Sequence, residues 1–231
     1  RLILGQQSPQ DTEQDNRYTR ARRDYDAWRA NEILMQDAHP SFTLIEHLFT
    51  WQGTTQRRLG FLGLLGLDDA SRAGVLRHEA TLEAPKADRQ RLLEAVPANL
   101  SPVFCVYPDA QGGLQARLTE LAARGSPNAA ARRGEETVRL WALTDQAAIR
   151  AIEDHLRQVR VLIADGHHRY EVASAHRMHY GAVMTYFTSV ADPGLRVGPI
   201  HRLVQPPAPA DLAALEPIAS VTPAVDLGTL L

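Results

Sequence analysis

Cysteine is nearly absent: Cys105 is the only one in 231 residues. A single thiol excludes an internal disulfide framework and any paired-cysteine metal site, and it fits a reducing cytoplasm. Its neighbours Val103, Phe104, Val106 and Tyr107 predict a buried strand thiol rather than a reactive one. Lysine is nearly absent too, since all but one of the 25 basic residues are arginine and the exception is Lys86. A lone ammonium among so many guanidinium groups is a candidate for a role arginine cannot fill, such as a compact point charge on a phosphate. No apolar run approaches the roughly 20 residues needed to span a bilayer. Basic tracts are missing as well. The doublets Arg22-Arg23, Arg57-Arg58 and Arg132-Arg133 are scattered, and no aromatic residues interleave with them. Nucleic acid is therefore not an expected partner, and a net charge of −2 gives no global pull towards polyanions or anionic membranes.

What is present suits a globular protein with a real core, at 44% hydrophobic residues. Arg1 to Leu4 reads as the remnant of a short strand. Arg17 to Leu34 reads as a helix, with Tyr18, Ala21, Tyr25, Trp28 and Ile33 near one face. Ser41 to Trp51 and Arg57 to Leu67 read as a hairpin about Gln52-Gly53-Thr54-Thr55. Further helices are predicted at Arg89–Ala95, Leu114–Arg124 and from Thr144 to about Gln158. Strands are predicted at Val103–Tyr107, Thr137–Leu143 and Gly181–Val190, with Gly125 to Gly134 as a loop. This order predicts an α+β (mixed α/β) fold with an N-terminal helix-hairpin extension. The expected organisation is one domain over residues 1–205, with residues 1–70 as a candidate subdomain. A Pro/Ala-rich segment follows over 206–231. The chain starts at Arg1 rather than Met, so part of the native N-terminus is expected to be missing, and the C-terminal end is expected to be truncated.

One stretch carries the chemistry. Val159 to Ala164 is an apolar run rich in β-branched residues that stops at Asp165-Gly166, and His167-His168-Arg169-Tyr170-Glu171 follows. The pattern is strand, tight turn, helix N-terminus. Gly166 can take φ > 0 and lets a ligand approach the backbone. The first helical turn has free N–H groups and a partial positive charge, which suit an anion. Arg169 can add a bidentate fork, and His167 and His168 can donate hydrogen bonds or move protons. A second polar cluster holds Arg77, His78, Glu79, Lys86, Asp88 and Arg89, and a third basic spot holds His201 and Arg202.

Taken together, Asp165-Gly166-His167-His168-Arg169, Arg77-His78-Glu79-Ala80-Thr81, Lys86, Asp88-Arg89 and Asn99-Leu100-Ser101-Pro102-Val103-Phe104 resemble the bacterial and archaeal family of domain of unknown function 1015. The resemblance runs from about Trp51 to Val204. That family's usual N-terminal Pro-Pro-Tyr-Asp stretch is not present. Leu162 to Arg169 with Ala173 is also similar to the Asp-Gly-x-His/Arg-Arg box of the ParB/sulfiredoxin-like superfamily. That group includes CTP-binding partition proteins, ATP-using sulfiredoxin and an ADP-dependent free-serine kinase. The similarity implies a ParB/sulfiredoxin-like core whose strand-to-helix turn holds nucleotide phosphates. Sulfiredoxin's catalytic cysteine has no counterpart here, because Cys105 is not in a Gly-Cys-His-Arg turn. The partition proteins' DNA-binding module is not apparent either.

Three functional readings follow. The first is a nucleotide-dependent phosphotransferase acting on a small hydroxyl compound. In it Gly166, His167, His168 and Arg169 hold phosphates. Lys86, Arg77 and Arg89 neutralise the transferring group, Glu79 or His78 accepts the hydroxyl proton, and Asp165 holds Mg²⁺. The nucleotide is ATP, ADP or CTP. The second reading is a nucleotide-gated binding or regulatory protein without significant turnover, which does not need Glu79. The third is a metal-dependent hydrolase built on His167, His168, His176 and His201. No His-Glu-x-x-His spacing supports it. A homo-oligomer is left open by the sequence.

Overall fold

The computed structural model describes residues 2–3 and 5–198. The chain divides after Arg196, and every element below lies in the first unit. The boundary expected at 205/206, the basic spot at His201 and Arg202, and the Pro/Ala-rich segment all fall outside the described residues.

The architecture is mixed α+β: eight strands form one sheet, and the described residues contain seven helices. The hairpin strands are β1 (Phe42–Trp51) and β2 (Thr54–Gly66), joined by Gln52-Gly53 at φ 49° and 74°. Two consecutive positive φ values match the twist of a tight two-residue hairpin. The remaining strands are β3 (Val75–Leu76), β4 (Val103–Tyr107), β5 (Ala129–Arg133), β6 (Glu136–Leu143), β7 (Val161–Asp165) and β8 (Ala182–Ser189). Their order across the sheet is β3-β7-β4-β8-β2-β1-β6-β5. β3 pairs parallel with β7 and β4 parallel with β8, while all other neighbours are antiparallel. The hairpin expected as an extension therefore joins the same sheet as the later strands, through β2 on β8 and β1 on β6.

Strand register explains the core. Trp141, Leu44, Phe61, Phe187, Cys105 and Ile163 stand opposite one another on six successive strands, and all are buried. Phe61 stacks on Phe187 at 5.3 Å between ring centroids and meets Phe42 edge-on at 5.5 Å. Helices α4 (Gly113–Ala123), α5 (Gln146–Gln158) and α6 (His167–Ala175) add Leu118, Ile152, Tyr170 and Ala173 to this cluster. Side-chain period 2 in the strands and 3.6 in the helices meet on one shared face. Burial pushes the Cys105 thiol up to about 12, so it stays protonated and inert.

A smaller cluster of Ala21, Leu92 and Val96 joins α1 (Arg17–Ala30) to α3 (Glu83–Ala95), and α3 in turn packs on α6. The Tyr18 hydroxyl donates to Asp88 at 2.7 Å across the α1–α3 contact, and Arg17 pairs with the same carboxylate. Two short helices complete the set, α2 (Asp69–Ala73) and α7 (Arg177–Tyr180).

Several boundaries correct the sequence reading. α1 ends at Ala30, not Leu34. α3 begins six residues before Arg89, with Pro85 in its first turn, where a missing N–H costs nothing. The stretch read as loop from Gly125 to Gly134 contains β5, and Asp145 rather than Thr144 caps α5 by accepting the Ala148 N–H at 2.8 Å. Leu2 and Ile3 carry no strand.

Candidate functional site

The site starts at the end of β7. That strand reaches Asp165 opposite Phe104 on β4 and turns at Gly166, with φ 93° and ψ 27°. The first intrahelical bond of α6 runs from the Tyr170 N–H to the Gly166 carbonyl at 3.0 Å. The N–H groups of His167, His168 and Arg169 thus precede the helical ladder. Arg169 folds back over the turn, bonds Ser101 Oγ and pairs with Asp165. A Cβ at position 166 would lie 2.9 Å from the Arg169 guanidinium. Glycine is therefore favoured by the left-handed backbone, and a Cβ here would push the guanidinium aside.

The two polar clusters of the sequence are physically locked together. Arg77 donates to Glu171 Oε1 at 2.7 Å, and the Thr81 hydroxyl donates to Glu171 Oε2. The His78 backbone N–H approaches His167 Nε2 at 3.5 Å, and the Leu82 N–H donates to His168 Nε2 at 3.0 Å. Glu79 Oε2 stands 3.5 Å from His167 Nδ1, and the His78 and His167 rings lie 4.6 Å apart. Because Nε2 of each ring accepts, the neutral form carries its proton on Nδ1. His167 then presents an N–H to Glu79, and the Nδ1–H of His168 has no partner among the described residues.

The electrostatics follow from this clasp. His167 is 2% exposed. Burial, and then the neighbouring His78, hold its pKa below the ordinary histidine value. Glu171 lies below the usual carboxylate range, first because of the Thr81 hydroxyl and then through Arg77 and Lys86. Lys86 is raised by its bond to Glu83 at 2.7 Å.

Helix α6 separates two hollows. The first, of about 470 Å³, contains Glu79, Arg89, Asp165, Gly166, His167, His168 and Arg169 in its wall. Asn99 and Ser101 add further polar groups to the lining. Leu92, Leu93, Leu100, Val172 and Val183 supply apolar lining, and Tyr180 also lines the hollow. The second hollow, of about 500 Å³, is lined by Arg77, Lys86 and Glu171 among others. Seven of the residues picked from the sequence thus share one cleft, while Arg77 and Lys86 stand in another. His78 lines neither and supports the His167 ring from behind.

Ser101, Tyr180 and Glu171 are functional candidates that sequence reasoning gave no role. Ser101 had a signal, since it sits in the Asn-Leu-Ser-Pro motif. Glu171 had one too, four residues after His167. Tyr180 had none. Among the described residues no three His, Cys, Asp or Glu side chains converge to hold a metal ion. Asp165 stands as a single carboxylate, and His176 is bound to the Val172 carbonyl at 2.9 Å. No helix among the described residues is long and apolar enough to cross a membrane.

A family model described as "Protein of unknown function (DUF1015)" matches residues 1–225. The chain belongs to this family. No curated protein and no solved structure matches it. Within this DUF1015 chain, the Arg77–Thr81 and Asp165–Arg169 motifs are two halves of one clasp.

Proposed function

We propose that the cleft beside the start of α6 binds a nucleotide through its phosphates and that the protein uses it for phosphoryl transfer to a small hydroxyl compound. The reading is carried by one observation. A cleft of about 470 Å³ is lined by the first turn of α6, Arg169, His168 and Arg89 together with the apolar side chains of Leu92, Leu93, Leu100, Val172 and Val183. Phosphates suit the helix dipole and the guanidinium groups, and a base suits the apolar side chains. The turn is also what a ParB/sulfiredoxin-like core would use for ATP, ADP or CTP.

In this reading the substrate hydroxyl oxygen attacks the terminal phosphorus, and the bond to the departing phosphate breaks. The hydroxyl proton passes to Glu79, whose carboxylate faces the His167 Nδ1–H, with His78 behind. Arg169 and Arg89 stabilise the transferring charge. Mg²⁺ would be held by the nucleotide and by Asp165 alone, consistent with an ion that keeps most of its waters.

A second reading, nucleotide-gated binding without significant turnover, draws on a specific observation. Both carboxylates in the lining already have partners, Asp165 with Arg169 and Glu79 with His167. The experiment is thermal melting with ATP, ADP and CTP, each with and without Mg²⁺. The expected result is a rise in Tm at millimolar nucleotide that Arg169→Gln removes. No shift with any of the three would sink both readings.

A further inference from the structure

We propose that the groove of about 500 Å³ on the other flank of α6 is a second ligand site, taking a small molecule through a phosphate group. Four separate segments each bring one cation to it: Arg72 from α2, Arg77 from the segment after β3, Lys86 from α3 and Arg177 from α7. Among the described residues of the lining Glu171 is the only carboxylate against these four cations, while Glu83 and Asp69, outside the lining, pair with Lys86 and Arg72. Glu171 is itself occupied, bonded by Thr81 and by Arg77 at 2.7 Å.

The other cations are loosely held. Lys86 pairs with Glu83, whose side chain is 86% exposed, and Arg72 pairs at 3.3 Å with Asp69, which is 92% exposed. Such solvated pairs exchange readily for a stronger partner. Arg177 makes a 3.4 Å bond to the Ser174 carbonyl.

The chemistry favours phosphate over a single carboxylate. A dianion with several acceptor oxygens can use two guanidinium forks and an ammonium at once, whereas one carboxylate satisfies a single fork. The groove's volume suits a metabolite rather than a macromolecule. The site stands apart from the nucleotide cleft, because Val172 is the one residue common to both walls.

The test is titration of the full chain with inorganic phosphate and with glycerol 3-phosphate, followed by calorimetry. Combining Lys86→Gln with Arg177→Gln should weaken one phosphate-binding step by about tenfold or more, and that step should persist when Arg169→Gln removes any step that belongs to the nucleotide cleft. Should the paired variant fail to fold, Arg72→Gln alone should still weaken binding by about threefold. Unchanged affinity in the variant that folds would overturn the proposal. So would binding that equimolar sulfate abolishes with no preference for the monoester, which means an adventitious ion only. Loss of every phosphate-binding step in Arg169→Gln would assign the phosphate to the nucleotide cleft and overturn the second site. Failure of the nucleotide reading alone leaves these outcomes intact.

Discussion

His168 Nε2 accepts the Leu82 N–H at 3.0 Å and so joins the first turn of α6 to the residue that caps α3. Leu82 offers no side-chain cap of its own, and the imidazole fixes this helix start from across the cleft. His168→Ala removes the acceptor. The expected cost is about 1 kcal/mol, the net worth of one hydrogen bond, seen as a lower urea midpoint. His168→Gln should recover part of it. A midpoint unchanged in the alanine variant would show that the bond contributes nothing.

Gly166→Ala tests the turn. The backbone at φ 93° disfavours any Cβ, and an added one meets the Arg169 guanidinium at 2.9 Å. The expected destabilisation is about 1–2 kcal/mol. The displaced Arg169 should also abolish the nucleotide-dependent rise in Tm. Retention of that rise at full size would mean that Arg169 is not a ligand.

Glu79→Gln separates catalysis from binding. Glu79 is 58% exposed and contacts only the edge of His167, so the fold should tolerate the amide. Nucleotide affinity should stay within about twofold. Turnover measured as nucleotide consumption with a hydroxyl acceptor should fall by about 10²-fold or more. Equal turnover in both proteins would remove Glu79 from the chemistry.

The acid limit of stability should report His167. In the native protein its pKa lies below the ordinary value, through burial and through His78. In the unfolded chain it titrates near ~6.5. Between these two values the unfolded chain binds a proton that the native state refuses, so stability is complete above about pH 6.5 and declines as pH falls towards the native pKa. Urea midpoints over this window should drop in the natural protein and drop less in His167→Asn. Parallel curves for the two proteins would assign the decline to other groups.

Much of the fold was legible because its strands are locally emphatic. Val103–Tyr107 and Val161–Asp165 are dense in β-branched and aromatic residues, and Gly53 marks the turn between the two hairpin strands. β5 was not legible. Ala129 to Arg133 has no residue with strand preference, every one of the five is exposed, and only pairing with β6 makes it a strand. The candidate site was half legible. Residue types and the glycine turn pointed to an anion site, but helix geometry decided which cations meet. Arg169 and Ala173 fall on one flank of α6 and Glu171, Ser174 and Ala175 on the other, with Val172 between them. Arg77 and Lys86 follow Glu171 to its side, and sequence spacing alone does not reveal that division.

A nine-residue helix with a hollow on each flank leaves little freedom to change one without the other. Val172 belongs to both walls, so enlarging it to fill one takes room from its neighbour. Optimising either compartment by substitution at that position would therefore require a compensating change across the partition.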